Sequence, residues 1–314
     1  MRTVPALAAP RRNVGKIFRN EWVLYFFVLP AVGFTFLFNY LPLFINVIAF
    51  MDYDITKGWL GLASPWVGFK HFQKFLTDSE FPTIALRTLA YAGGKMVFTF
   101  PAPIIFALLL NELRSQAFKR TVQTISYMPF FVSWVTVSSL VYLFLSTSST
   151  GLVNNIVQAL GGQRTIYMSK VEYFLPLLVV TELWKSMGFS SIIYIAAIAS
   201  IEQQLYEAAM IDGAGRWARM TRITLPGILP AVVILLILSA GSLFSSNFDQ
   251  IYTLTNPVIR TRTFVINIWG YFQGIQQRKY SLGTAISMFQ SVISFLLVWL
   301  TNFASKRVRG TGLF

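Results

Sequence analysis

From Trp22 to Phe50 the chain runs for 29 residues without a Lys, Arg, Asp or Glu. A helix needs only about 20 apolar residues to cross the hydrocarbon core of a bilayer. No charge pattern marks a water-facing side on this stretch, so the solvent it is built for is lipid. Five more stretches are as apolar: residues 84–111, 121–145, 172–200, 228–251 and 281–304. The third and sixth of the set also carry no charge. Composition agrees. Charged residues make up 12% of the chain and hydrophobic ones 55%, whereas a soluble protein carries roughly 25% charged residues to cover its surface. The expected fold is an all-α membrane protein with six transmembrane helices. The first stretch far exceeds the ~7–15 apolar residues of a secretory signal, and no small-residue cleavage site follows it. It reads as an uncleaved span.

The basic residues set the orientation. With the N-terminus in the cytoplasm, the inside segments 1–21, 112–120, 201–227 and 305–314 hold 14 Lys and Arg in 67 positions, and the outside segments 51–83, 146–171 and 252–280 hold 9 in 88. By the positive-inside rule both termini are cytoplasmic. The net charge of +14 is therefore spread between spans and forms no nucleic-acid patch.

Several chemistries drop out. There is no Cys and one His, His71, so thiol nucleophiles, disulfides and histidine metal clusters are excluded, and with them most intramembrane enzymes. The segment Gly93-Gly94-Lys95-Met96 lacks the spacing and hydroxyl of a phosphate loop. Pro30, Pro42, Pro101, Pro103, Pro129, Pro176 and Pro230 fall within the apolar stretches. Each deletes a helix hydrogen bond that lipid cannot replace, although proline is common in membrane helices generally.

The loop between the fourth and fifth stretches has the most information. Residues 202–212 form a short helix with Glu207, Ala208 and Ala209 on an exposed face. Gly213 stops it with a left-handed cap, which a residue lacking Cβ adopts at little cost. Arg216, Arg219 and Arg222 then share one side of a second helix. A connector lying on anionic headgroups would have similar charge. The spacing says more: Glu207-Ala208-Ala209, Gly213 six residues after the Glu, and Ile223-x-Leu225-Pro226 ten after that Gly, with Asp212 and Ala214 flanking the glycine. This pattern resembles the permease subunits of bacterial ATP-binding-cassette importers.

The resemblance covers nearly the whole chain and is nearest to permeases for complex and acidic oligosaccharides. It is carried by Trp22 to Asp54, Pro65 to Phe69, Trp184-Lys185 with Tyr194 to Ile198, and Phe248 to Tyr252 followed by Leu254-Thr255-Asn256-Pro257. It implies a type I importer permease in the bacterial inner membrane. The permease domain would span 22–304, with a cytoplasmic segment 1–21, a coupling loop 201–227 and a tail 305–314. It implies no cofactor on this chain, with ATP and Mg on two ATP-binding partner subunits. Its other implied partners are a second, homologous permease, an extracytoplasmic solute-binding protein and membrane lipid. Glu207, Ala208, Ala209, Asp212, Gly213, Ile223, Leu225 and Pro226 would couple hydrolysis to the membrane helices.

Charges within a membrane span are functional candidates by default. Glu182 and Lys185 stand three residues apart, close enough for an intrahelical pair. With Trp184, and with Asn247, Asp249 and Gln250 at the outer end of the fifth stretch, they form the candidate sugar pathway. Lys95 reads as a snorkelling or interhelical residue. The transported solute is expected to be an oligosaccharide, such as one derived from alginate or pectin. The alternatives are a neutral sugar, a glycerol-phosphate-like compound, or ion-driven secondary transport, which favours internal repeats that this chain lacks. The outside segments carry nine basic residues against Asp52, Asp54, Asp78 and Glu80. Such an excess attracts an anionic ligand, an acidic binding protein, or simply water.

Overall fold

A computed structural model describes residues 22–57, 61, 63–243 and 247–309. The expected N-terminal segment 1–21, and residues 310–314 of the expected tail, lie outside the described residues. Among the described residues the regular structure is helical, apart from one antiparallel bridge between Met51 and Trp66. Four helices are long and apolar enough to cross a membrane: Trp22–Phe50, Phe81–Asn111, Arg216–Gly241 and Tyr280–Arg307. The number rises to six if each of two bent pairs counts as one crossing.

The bends have local causes. The expected third span, 121–145, is two legs, Gln116–Phe131 and Trp134–Phe144, set at 99°. Pro129 removes a donor on one side of the break. On the other side Ser133, in extended conformation, accepts from the Thr136 amide at 3.2 Å as an N-cap and starts a new helix. The second bend, 70°, separates the fourth segment from Gln203–Ile211 and has no proline beside it. Proline shows its effect elsewhere. A wide turn of i→i+5 bonds over Phe36–Tyr40 precedes Pro42, and another over Met220–Thr224 precedes Pro226. A missing proline N–H leaves such a register change at little extra cost.

Two expected boundaries move. The fifth span, expected at 228–251, is the continuous helix Arg216–Gly241, and Phe248–Leu254 is a separate short helix. The basic helix after Gly213 is thus the first turn of the fifth span rather than an independent element. The segment 252–280, expected as an outside loop, is not wholly on the surface. Val265, Ile266, Ile268 and Trp269 are fully buried in it, because this stretch folds inward to complete the core.

The central element is Phe174–Ala199, which packs on Phe81–Thr99, Pro101–Asn111, Gln116–Tyr127 and Leu225–Gly241. One core cluster joins Phe75, Ile84, Trp269 and Ile286, and a second joins Tyr91, Phe174, Leu178, Ile251 and Ile268. A third, of Ala107, Tyr194, Ile198 and Ile228, lies nearest the Gln203–Ile211 end. At Gly188 the fourth segment crosses the third so closely that a Cβ would stand 2.2 Å from the Ser126 carbonyl oxygen. By contrast, no residue from Trp22 to Ile45 is buried, so this apolar stretch adds no side chain to the core clusters among the described residues.

Candidate functional site

A cavity of about 770 Å³ opens between the second, fourth and fifth segments. Glu182 projects into it from the fourth. One turn on, Ser186 donates to its Oε1 at 2.9 Å. Lys95 reaches across from the second segment and donates to Glu182 Oε2 at 3.2 Å and to Gln250 Oε1 at 3.1 Å. Gln250, wholly buried, donates in turn to the Leu178 carbonyl at 2.8 Å and to Thr181 Oγ1 at 2.9 Å. Asn247 completes the node with an Nδ2 donor 3.5 Å from Glu182 Oε2. The side chains of Lys95 and Glu182 are 18% and 17% exposed, so each neutralises the other with little help from water. Around this node the wall carries Ser190, Ser239 and Thr99 hydroxyls and the rings of Phe100, Phe130 and Phe189. Amides, hydroxyls and aromatic faces on one concave wall suit a ligand that is polar at its edge and apolar on its ring face.

The expected pathway residues divide. Glu182 and Asn247 line the cavity, and Gln250 stands one hydrogen bond behind it. Trp184 is half-exposed and Asp249 exposed, and neither lines the cavity. The intrahelical pair of Glu182 with Lys185 is replaced by the interhelical pair with Lys95. Lys185 turns the other way, where its ammonium donates to the carbonyls of Phe130 at 2.6 Å, Val132 at 2.5 Å and, at 3.5 Å, Pro129. Those carbonyls lie at the 99° break, where the Pro129 carbonyl also accepts from the Val132 amide at 3.1 Å, and a buried cation supplies the donor that the interrupted helix does not. Its ammonium also lies 5.4 Å and 5.5 Å from the Phe130 and Trp134 ring centres. Lys95 is the residue that sequence reading left out of the pathway. Its charge within an apolar stretch was the available signal, but its partner lies 87 residues away.

At the far end of the fourth segment, the helix Gln203–Ile211 turns at Gly213, with φ +76°. The Ala214 amide donates to the Ala209 carbonyl at 2.8 Å and the Gly213 amide to that of Met210 at 3.1 Å. This pair of bonds is the left-handed cap expected from the sequence. Glu207, Ala208 and Asp212 are exposed and Ala209 is half-buried. Beside them Met210 is 49%, Ile211 87% and Trp217 72% exposed, apolar surface that sequence reading did not single out. Among the described residues one side-chain bond ties this helix to the next, between the Tyr206 and Thr224 hydroxyls at 2.9 Å. Ile223 is half-buried and Leu225 and Pro226 are exposed. Re-entry into the core comes two residues after Pro226, at fully buried Ile228. The element is a rigid turn that presents small and apolar side chains outward, the form of a docking surface.

Comparisons with known proteins bear on the family and the fold. A family model described as "Binding-protein-dependent transport system inner membrane component" matches residues 99–310. The polygalacturonan/rhamnogalacturonan transport system permease protein YteP of Bacillus subtilis (strain 168) is 39% identical, covering 97% of this chain and 94% of its own length. Among solved structures, a bacterial ABC transporter involved in the import of the acidic polysaccharide alginate superposes with a TM-score of 0.86 at 36% identity, over 95% of this chain and 100% of that one. The bacterial alginate ABC transporter in complex with alginate pentasaccharide-bound periplasmic protein gives 0.85 at 36% identity, over 95% and 99%.

Proposed function

The chain belongs to the family of binding-protein-dependent transport system inner membrane components, and on that premise we propose that it carries uronate-containing oligosaccharides across the bacterial inner membrane. It is a multi-pass permease of an ABC importer and holds no ATPase site; hydrolysis belongs to separate subunits. Its fold is that of a type I importer permease. In our reading it crosses the membrane six times within residues 22–304, with the segment 1–21 and the tail 305–314 both cytoplasmic.

The observation that carries the reading is the exposed turn around Gly213. A helix held by its own cap, and by one hydroxyl pair, moves as a unit when a partner grips it. Glu207, Ala208, Ala209, Asp212 and Gly213 form the gripped face. Ile223, Leu225 and Pro226 pass the movement into the fifth segment, which is continuous with Arg216. The gripping partners are two ATP-binding subunits, which bring ATP and Mg. A second, homologous permease faces the cavity, and a solute-binding protein delivers the sugar. Glu182 and Asn247 meet the sugar along the cavity wall, and Gln250 holds Lys95 in place. The polyuronate class is supported by the cargo named for two relatives, alginate and polygalacturonan.

The test is uptake by proteoliposomes holding the assembled transporter and its binding protein. Trigalacturonate is compared with its carboxyl-reduced, neutral counterpart, with and without the ATP-binding subunits. Uptake that needs those subunits and favours the uronate is expected. Equal uptake of both sugars would remove the uronate class but leave the importer, and uptake without the ATP-binding subunits would remove the importer itself.

A further inference from the structure

The nine basic residues of the outer segments do not all serve attraction. Arg164 is consumed by the loop it sits in, donating to the Thr147 and Ser148 carbonyls, Gln158 Oε1 and Asn155 Oδ1. Arg260 covers the Phe272 ring and Lys170 that of Tyr173. Lys70 pairs with Asp52 at 2.6 Å. Of the five that remain, Lys57 and Arg262 stand elsewhere, and Lys74, Arg278 and Lys279 share a pocket of about 200 Å³ where the helix Lys70–Leu76 meets the start of the sixth segment.

Its frame is fixed. Ser281 Oγ donates to the Met51 carbonyl at 2.6 Å and accepts from the Tyr53 amide at 3.0 Å. The rings of Tyr53 and Tyr280 meet edge to face at 6.0 Å. Asp52 is the one carboxylate in the lining, and it is already engaged by Lys70 and by His71 Nε2, 3.1 Å from its Oδ1. The Lys70 ammonium holds the Asp52 carboxyl below its ordinary range. Lys279 donates to the neutral amide oxygens of Gln277 and Gln273. Lys74 and Arg278 line the pocket, and neither side chain has a hydrogen bond or ion pair with a described residue. Arg278 is also the only non-glycine with positive φ among the described residues, at 58°. Glycine would adopt that turn more readily, so the local backbone is strained to place a guanidinium there. Strain of this kind persists at ligand clamps.

We infer that this pocket binds a carboxylate, clamped between Lys74 and Arg278 and flanked by the Tyr53 and Tyr280 rings. A planar guanidinium matches a carboxylate with two parallel N–H donors, and the two rings give the attached group an apolar wall. A carboxylate could come from a uronate of the arriving sugar or from an Asp or Glu of the solute-binding protein. The importer reading supplies only these two sources; the pocket's preference for a carboxylate is tested separately from transport.

The assembled transporter in lipid nanodiscs is titrated in two arms. In one the probe is trigalacturonate, with its carboxyl-reduced counterpart as control. In the other the probe is the solute-binding protein loaded with the neutral sugar. Lys74→Gln and Arg278→Gly are compared with wild type. Arg278→Gly suits the left-handed backbone, so loss of binding with an unchanged melting temperature reports lost charge and not lost fold. Each variant is expected to weaken binding about tenfold, the scale of one charge-assisted hydrogen bond. Loss in the first arm assigns the carboxylate to the sugar, and loss in the second to the binding protein. Unchanged affinity in both arms for both variants would overturn the inference.

Discussion

The polar node in the cavity and the turn around Gly213 are built on opposite plans. The node draws Lys95 and Glu182 from two helices and Asn247 and Gln250 from the start of a third, and most of its polar atoms are bound to one another. The turn is made from neighbours in sequence, capped by its own amides and joined to the next helix by one hydroxyl pair. Damage to the node should therefore be read in stability. Damage to the turn should be read in coupling while the bundle stays intact.

Four substitutions press on that contrast, from the largest effect on stability to the smallest. Glu182→Leu takes away the counter-charge of the Lys95 ammonium and leaves it the neutral Gln250 Oε1 as acceptor. Leaving one partner of a mostly buried pair alone costs about 3 kcal/mol, seen as a lower melting temperature of the purified complex. Adding Lys95→Met should restore most of it. A Glu182→Leu protein as stable as wild type would break the contrast at its strongest point. Gly188→Ala comes next. A Cβ 2.2 Å from the Ser126 carbonyl meets backbone that cannot swing aside, and overpacking costs about 1–3 kcal/mol.

Gly213→Val differs in kind. Nothing lies within 4 Å of a Cβ there, so the only cost is the positive φ, about 1–2 kcal/mol confined to the turn. Bundle melting should hold while the ratio of sugar imported to ATP hydrolysed collapses. Wild-type transport by this variant would remove the docking role. Smallest is Glu207→Lys, on an exposed site where surface changes stay within about 0.5 kcal/mol. Its expected effect is weaker stimulation of ATP hydrolysis, and unchanged stimulation would remove a charged contact between Glu207 and a partner.

What could be read from the residues follows the same divide. The turn was legible because its cause is local: a helix, a glycine and a fixed distance to Leu225-Pro226. The apolar stretches were legible because lipid demands them whatever they pack against. The pairing of Lys95 was not, since its partner could be any carboxylate in the bundle and Lys185 offered Glu182 a nearer one. Hydropathy also hid the break at Ser133, although a serine after Pro129 is a cap signal, and it extended the fifth span into Phe248–Leu254. The stretch 252–280 was misjudged because apolar residues such as Ile266 and Trp269 alternate with polar ones there, and their burial depends on helices far along the chain.

Lys185 gives the third segment a mechanical character. Two stiff rods, Gln116–Tyr127 and Trp134–Phe144, meet at a joint pinned by one ammonium on the fourth segment. A push along the first rod cannot travel straight through a 99° corner, so it becomes torque about the pin. The 12-residue rod is a lever arm of about 18 Å at ~1.5 Å per residue. A rotation of ~10° at the pin therefore sweeps its far end by ~3 Å at that length, while the second rod stays in register with the core.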